Sequence, residues 1–422
     1  MKMRVVFGLV LVSMLALGTA ANAVVGANDN VPAATLLLPY FEVDLGNPDG
    51  VTTLFSINNA SASAAVAHVT FWTDESVPTL DFDIYLTGYD VQTINVRDIF
   101  NGILPVTADD GADTKDLVSP QGGLSQDINF PGATGPCAAI AYPSGLDAAF
   151  LTHLRNSHTG LSSPVFGRCA GARHGDNVAR GYVTVDTVNQ CNLSFPSDAG
   201  YFTGIADNRN ILWGDYFYVN NGENFAQGET LVHLEAQLPG VTAPLVPSFY
   251  ERYNPVAGED FREALPGTFA TRYLEGGAFD GGTSLVVWRD SELASNLTGF
   301  ACNSNAAWFP LAQTDVVGFD EQEQPEDLCF SDSPVSPPLG GANTCFPLET
   351  QKVSVADGNA IADPIAPSAP FGWLYLNLEH TPAGAQDYPS QAVVTTVMDA
   401  SGRFSVGFDA IELRGGNVVL IP

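Results

Sequence analysis

The chain has 422 residues and a formal net charge of −31, with 16 Lys and Arg against 47 Asp and Glu. A surface this acidic repels phosphate backbones and anionic lipid, so nucleic acid is excluded as a partner; the charge is explained either by cation binding or by solubility outside the cell. The hydrophobic fraction of 45% is enough for buried cores, and the length allows two domains.

The N-terminus has the pattern of a secretory signal. Lys2 and Arg4 precede an apolar run at 5–17, and Ala21-Asn22-Ala23 provides a small-x-small cleavage site. Cleavage after this site would remove residues 1–23, in the style of Gram-negative bacterial signals. No second long apolar segment follows, so we expect a secreted or periplasmic protein without a transmembrane anchor.

Residues 24–104 are predicted to form a first antiparallel β-sandwich. Hydrophobic and polar residues alternate in short segments, and turn residues separate these segments about every 8 to 12 residues. The predicted strands are 36–43, 53–58, 65–73, 82–86 and 91–98. Strands that bury one face and expose the other produce this pattern, which is typical of Ig-like sandwiches.

The composition then changes to Asp, Gly, Ser and Pro, and residues 105–178 are predicted to be a loop-rich connection with one short helix at 146–156. Residues 179–422 are predicted to form a larger β-rich domain, again a sandwich. Its predicted strands are 179–187, 211–219, 230–237, 283–289, 372–379, 391–399 and 403–413. Loops as long as those at 238–282 and 320–350 often carry binding sites. The fold class is therefore all-β, with antiparallel sandwich domains, long loops and one short helix.

The six cysteines indicate three disulfides in an exported chain. None has C-x-x-C spacing, which argues against redox catalysis and zinc knuckles. The pairs favoured by loop geometry are Cys329 with Cys345, Cys137 with Cys169, and Cys191 with Cys302.

Two acidic turns are candidates for a Ca²⁺ site. The turn at 44–50 would supply oxygen ligands from Asp44, Asn47 and Asp49. In the segment 320–327, crowded carboxylates repel one another unless a cation or solvent separates them. The candidate ligands of this second turn are Asp320, Glu321 and Glu323. Because such residues are also ordinary turn formers and solvated loop residues, both alternatives remain open.

Exposed aromatic rings are the platforms of carbohydrate-binding sandwiches, because a sugar face stacks on the ring while Asp and Asn contact the hydroxyl groups. Trp72, Trp213 and Tyr216 are the candidates for such contacts. Most Trp side chains in a chain of this size are buried in a core, which is the alternative for each of them.

The sequence lacks the nucleophile elbow, the P-loop, the dinucleotide fingerprint and the H-E-x-x-H zinc motif. We therefore expect an exported, non-enzymatic protein of the cell envelope or extracellular space that binds carbohydrate or another envelope protein, or acts in adhesion. One alternative is a secreted carbohydrate-active hydrolase or lyase that uses carboxylates in the long loops. Another is a self-assembling structural subunit that pairs through strand edges.

Overall fold

A computed structural model of the chain describes residues 31–105, 145–237, 247–253, 260–293, 298–306, 308–329, 345–380 and 389–413. Their strands pair in antiparallel ladders that form two sandwiches, and this confirms the all-β fold class. The Ig-like patterning stays a prediction. The predicted signal peptide, residues 1–23, lies outside the described residues.

The N-terminal sandwich contains two sheets. Its strands are β1 (Thr35–Asp44), β2 (Thr52–Asn59), β3 (Ala65–Thr73), β4 (Pro78–Leu86), β5 (Val91–Asn95), β6 (Val178–Val188), β7 (Leu212–Trp213), β8 (Asp215–Asn220), β9 (Phe225–Thr230) and β10 (Val232–Leu234). Sheet I has the order β10-β1-β6-β3-β4, and sheet II has the order β5-β2-β8-β9 with β7 beside β2. Val69 and Val183 of sheet I share one hydrophobic core with Phe55, Ile57 and Tyr216 of sheet II.

The first sandwich extends further along the chain than predicted. β6 makes its ladder with β1 on one side and with β3 on the other, so it lies inside sheet I. The strands at 178–234 pair within sheets I and II, so the N-terminal sandwich includes strands on both sides of the predicted division between residues 178 and 179. Strand order in a sheet is set by spatial pairing, which a pass along the sequence does not reveal.

The C-terminal sandwich also contains two sheets. Its strands are β11 (Thr268–Leu274), β12 (Gly282–Arg289), β13 (Asp315–Phe319), β14 (Pro325–Asp327), β15 (Thr350–Ser354), β16 (Phe371–Asn377), β17 (Ala392–Asp399), β18 (Ser405–Asp409) and β19 (Ile411–Glu412). Sheet III has the order β14-β13-β16-β11-β19, and sheet IV has the order β15-β12-β17-β18. Phe269 and Leu374 of sheet III share a core with Leu285, Val353 and Val394 of sheet IV.

Sheets I and IV face each other where the two sandwiches meet. Trp72 and Tyr182 on the outer face of sheet I belong to one buried cluster with Trp288 and Val393 of sheet IV. The 3₁₀ helix Phe249–Tyr253 contributes three aromatic rings to the same cluster. Sheets I and IV cover each other, whereas exposed aromatic residues lie on the outer faces of sheets II and III; on sheet III the exposure is partial, because Val317 and Tyr375 of its outer face are buried.

The described residues contain three α-helices, where one was predicted: α1 (Val96–Phe100), α2 (Ala148–His158) and α3 (Tyr201–Gly204). Helix α2 is the predicted one, and the Asp147 side chain caps it by accepting from Ala149 N and Phe150 N. Helix α1 lies where a strand was expected to continue to residue 98. The Asn95 side chain accepts from Arg97 N there and starts a helical turn. No described helix has the length and apolarity needed to cross a membrane.

Both long loops contain strands that were not predicted. β11 lies inside 238–282, and β14 lies inside 320–350. β11 alternates, with Phe269 and Tyr273 buried in the core, but the polar Thr271 between them on the same face interrupts its hydrophobic pattern.

Two disulfides are described, and only one was predicted correctly. Cys329 is bonded to Cys345, as expected. Cys169 is bonded to Cys302, so the predicted pairs of Cys169 with Cys137 and of Cys302 with Cys191 are both wrong. The reason is spatial: the loop after α2 forms a short backbone bridge from Cys169 to Phe300, which brings residue 302 close. Cys191 is also disulfide-bonded, and Cys137 lies outside the described residues.

Candidate functional site

An aromatic stripe follows the central strand of sheet III. The sequence of β16 is F-G-W-L-Y-L-N, and alternate residues of a strand point to opposite faces of the sheet. Leu374 and Leu376 point inward into the C-terminal core. Phe371, Trp373 and Tyr375 therefore share the outer face, with Phe371 and Trp373 exposed to solvent by 40% and 38%.

Trp373 is the centre of a row that crosses sheet III. Its Cα partners are Phe319 on β13 and Arg272 on β11, and Phe319 pairs with Pro325 on β14. The rings of Phe319 and Trp373 are stacked, with centroids 4.3 Å apart and planes 8° from parallel. Neighbouring strands are about 4.8 Å apart, so the whole row from Pro325 to Arg272 spans roughly 14 Å. We call Phe371, Trp373, Phe319 and Arg272 the aromatic face.

The aromatic face combines flat apolar rings with an exposed cationic donor. Stacking keeps the Phe319 and Trp373 rings parallel, and the Arg272 side chain is exposed at the other side of Trp373. Exposed aromatic patches of this kind on a folded protein usually mark a site of interaction. Because the two rings stack on each other, a ligand surface could contact only their free faces and edges, while its polar edge accepts hydrogen bonds from the guanidinium group.

A cleft of about 220 Å³ opens at the end of sheet III, and Phe319 borders it. Asp320 lines this cleft, with its Oδ1 accepting from Gln322 N at 2.8 Å and from Gln324 N at 2.9 Å. The carboxylate thus holds the β13–β14 turn, while Glu321 and Glu323 are exposed on it. Among the residues described, no group of His, Cys, Asp and Glu is placed to hold a metal ion.

The other Ca²⁺ candidate, the turn at 44–50, contains its own cation. Asp44 Oδ1 accepts from Gly46 N at 2.8 Å and from Asn47 N at 3.0 Å, and Asn47 Oδ1 accepts from Asp49 N at 3.1 Å. Arg97 donates to the backbone carbonyls of residues 44, 47, 50 and 51. These four carbonyls therefore already have a cationic hydrogen-bond donor. Ca²⁺ binding at either turn stays a prediction.

The structure buries two of the three aromatic residues that were predicted to contact a ligand. Trp72 is fully buried, stacked between Tyr182 at 5.8 Å and Tyr253 at 5.5 Å, because sheet IV covers the outer face of sheet I. Tyr216 points into the N-terminal core, and burial raises the pKa of its hydroxyl group. Neither ring can contact a ligand.

Trp213 is exposed by 43% on the outer face of sheet II, as its prediction requires. Phe217 lies on the same face and is exposed by 45%. Asp215 lies between them along the chain and accepts a 2.7 Å hydrogen bond from Ser56 Oγ. On sheet II, the rings of Trp213 and Phe217 are separate from each other. On sheet III, the rings of Phe319 and Trp373 are stacked, so we take the aromatic face as the stronger candidate.

The sequence carried a signal for the aromatic face that the predictions missed. Aromatic residues at 371, 373 and 375 recur with the period of a strand and must share one face. Nothing in that pattern shows which face is exposed, and nothing links it to Phe319 or Arg272 on other strands.

Raised carboxyl pKa values, which a general acid requires, occur elsewhere in the described chain. Burial raises the pKa of Glu292 to about 7, and this carboxylate accepts a hydrogen bond from Ser390 inside the protein. Burial also raises the pKa of Asp81 to about 6 beside the buried His68. Neither group lines the aromatic face or the cleft beside it.

Comparisons of the chain with protein-family models, with curated proteins and with solved structures found no match.

Proposed function

We propose that this chain is an exported, non-enzymatic binding protein of the cell envelope or extracellular space, and that it holds a neutral polysaccharide on the aromatic face of sheet III. The observation that carries the proposal is the stacked pair of Phe319 and Trp373, aligned across the sheet with Arg272.

The chemistry of a sugar chain matches this face. A pyranose ring presents a face of C–H groups, which packs on an aromatic ring, and a rim of hydroxyl groups, which needs hydrogen-bond partners. The row from Phe319 to Arg272 is about 10 Å long and accommodates about two sugar units side by side. The net charge of −31 repels acidic polysaccharides, so the ligand is a neutral one.

The test is sedimentation and calorimetric binding with neutral polysaccharides (cellulose, chitin, starch and mannan) and with heparin as the acidic comparison. Trp373→Ala and Phe319→Ala should each weaken binding about tenfold, which corresponds to about 1.4 kcal/mol. Trp213→Ala is the matched control, because it removes an exposed Trp from the other sandwich. Far-UV circular dichroism and melting temperature establish that each variant is folded.

Three results would overturn the proposal. Binding that is lost in Trp213→Ala and kept in Trp373→Ala would move the site to sheet II. Binding of heparin in preference to the neutral polymers would show that the ligand is not a neutral polysaccharide. Release of reducing ends during incubation would identify the carbohydrate-active hydrolase instead.

A further inference from the structure

A second cavity lies between the two sandwiches, away from the aromatic face. It has a volume of about 320 Å³, and we call it the junction cleft. The N-terminal sandwich forms one wall with Tyr40, Glu42 and Arg180, together with the loop residues His174 and Asp176. The C-terminal sandwich forms the other wall, with Ser284, Lys352, Ser354 and the turn at 358–360.

Most residues that line the junction cleft have polar side chains, and Gly358 and Ala360 are the exceptions. Two ion pairs within the lining contribute two negative and two positive charges, which cancel, and the Nε2 of the third cationic candidate, His174, lies 2.9 Å from the Asp74 carboxylate. Arg180 donates from Nη1 and Nη2 to the Asp176 carboxylate at 2.8 and 2.7 Å. Lys352 Nζ donates to Glu42 Oε1 at 3.0 Å, and the Tyr40 hydroxyl donates to Glu42 Oε2 at 3.2 Å.

This charge balance selects the ligand. An anion would compete with Glu42 and Asp176 for the cationic groups, and a cation would compete with Lys352 and Arg180 for the carboxylates. Hydroxyl groups have no such conflict, because each one both donates and accepts. The ammonium group of Lys352 has three donors and uses one of them for Glu42, and each carboxylate oxygen has more than one acceptor position.

The volume limits the size of the ligand. A cavity of about 320 Å³ lies at the lower end of the range for small-molecule sites, about 300 to 1,000 Å³. We propose that the junction cleft is a second binding site, which holds one neutral mono- or disaccharide between the two sandwiches. The ligand contacts both walls, so its binding also opposes separation of the sandwiches.

The experiment is saturation-transfer difference NMR on the full chain with glucose, galactose, mannose and maltose, and with citrate and arginine as charged comparisons. Ser284→Phe places a ring in the cleft without removing a charged group, and Ser284→Ala keeps the cleft open as its matched control. Ala360→Trp, at an exposed turn position on the rim, obstructs the cleft by a second route that does not disturb a strand. Melting temperature without ligand shows that the variants are folded.

We expect saturation of at least one sugar in the wild type, in Ser284→Ala and in Trp373→Ala, with its loss when Ser284→Phe or Ala360→Trp is combined with Trp373→Ala, which removes the aromatic face. The bound sugar should raise the melting temperature of the first three proteins alone. No saturation of any sugar, equal saturation in the folded Trp373→Ala and Ser284→Phe/Trp373→Ala variants, or saturation by citrate or arginine alone would overturn the proposal. Loss of saturation in Trp373→Ala alone would assign the sugar to the aromatic face and also overturn the cleft site. The two proposals therefore fail separately, since Trp373→Ala tests the aromatic face and Ser284→Phe tests the cleft.

Discussion

Arg252 Nη2 lies 2.6 Å from Oε1 of Glu349, and both side chains are fully buried where the two sandwiches meet. The same guanidinium group donates from Nη1 to Asp290 Oδ1 at 2.9 Å and from Nη2 to the Tyr182 hydroxyl at 3.1 Å. Tyr182 belongs to the N-terminal sandwich, whereas Asp290 and Glu349 belong to the C-terminal one. One buried cation thus connects the two halves of the chain.

Replacing Arg252 with Met should destabilise the protein by about 3 to 5 kcal/mol, because two buried carboxylates lose this cationic partner. Lys352→Met is the comparison, since the Lys352–Glu42 pair also joins the sandwiches but is partly exposed; its loss should cost about 1 kcal/mol or less. Urea unfolding of the three proteins measures both differences. Equal effects would show that burial does not set the strength of these contacts.

Stability should depend on pH through Asp409 at the seam between β9 and β18. Burial, with a smaller contribution from Glu229, raises the pKa of Asp409 from 3.8 to about 6. Because the pKa in the folded state lies above the unfolded value, this stabilising contribution is complete below about pH 4 and is lost as the pH rises through 6.

Asp409→Asn keeps the acceptor for Thr395 Oγ1 and cannot ionise. Relative to the wild type, the variant should become progressively more stable between pH 5 and pH 8, by on the order of 2 kcal/mol. Urea midpoints across this range measure the difference. Asp280→Asn removes an exposed carboxylate whose pKa is lowered by Arg403, so it should show no such rise. A constant difference for Asp409→Asn would contradict the prediction.

The two described disulfides should differ in their contributions. Cys169 and Cys302 are 133 residues apart, whereas Cys329 and Cys345 are 16 apart. Loop-closure entropy predicts losses of about 5 and about 3 kcal/mol when each pair is replaced by Ser. Guanidinium unfolding of the two double variants gives the order. The reverse order would show that loop length does not govern these bonds.

We expect Arg97, and not a metal ion, to stabilise the turn at 44–50. Arg97→Met removes four charge-assisted contacts to backbone carbonyls and should lower the free energy of unfolding by about 1 to 3 kcal/mol. We expect Ca²⁺ to cause no rise in the melting temperature of the wild type, relative to EGTA, through the turn at 44–50. A rise in Ca²⁺ that Asp49→Ala abolishes would establish a metal site there.

Period-2 alternation was enough to predict the fold class and most of the long strands, since a strand with one wet face repeats every two residues. β3, β6, β12 and β17 all lie close to their predicted positions. The Asp147 cap and the Cys329–Cys345 pair could also be predicted from the sequence, because the groups involved are near neighbours along the chain.

Tertiary structure decided which of two faces meets solvent. Trp72 and Trp373 both lie on strand faces that point away from their own sandwich core, and alternation treats them alike. Trp72 is buried because sheet IV packs over it, whereas Trp373 is exposed because no described part of the chain covers its ring fully. Strand register places Phe319 beside Trp373. Loop contact likewise brings Cys302 to Cys169. Local pattern determines which residues share a face, and only long-range packing determines what lies against it.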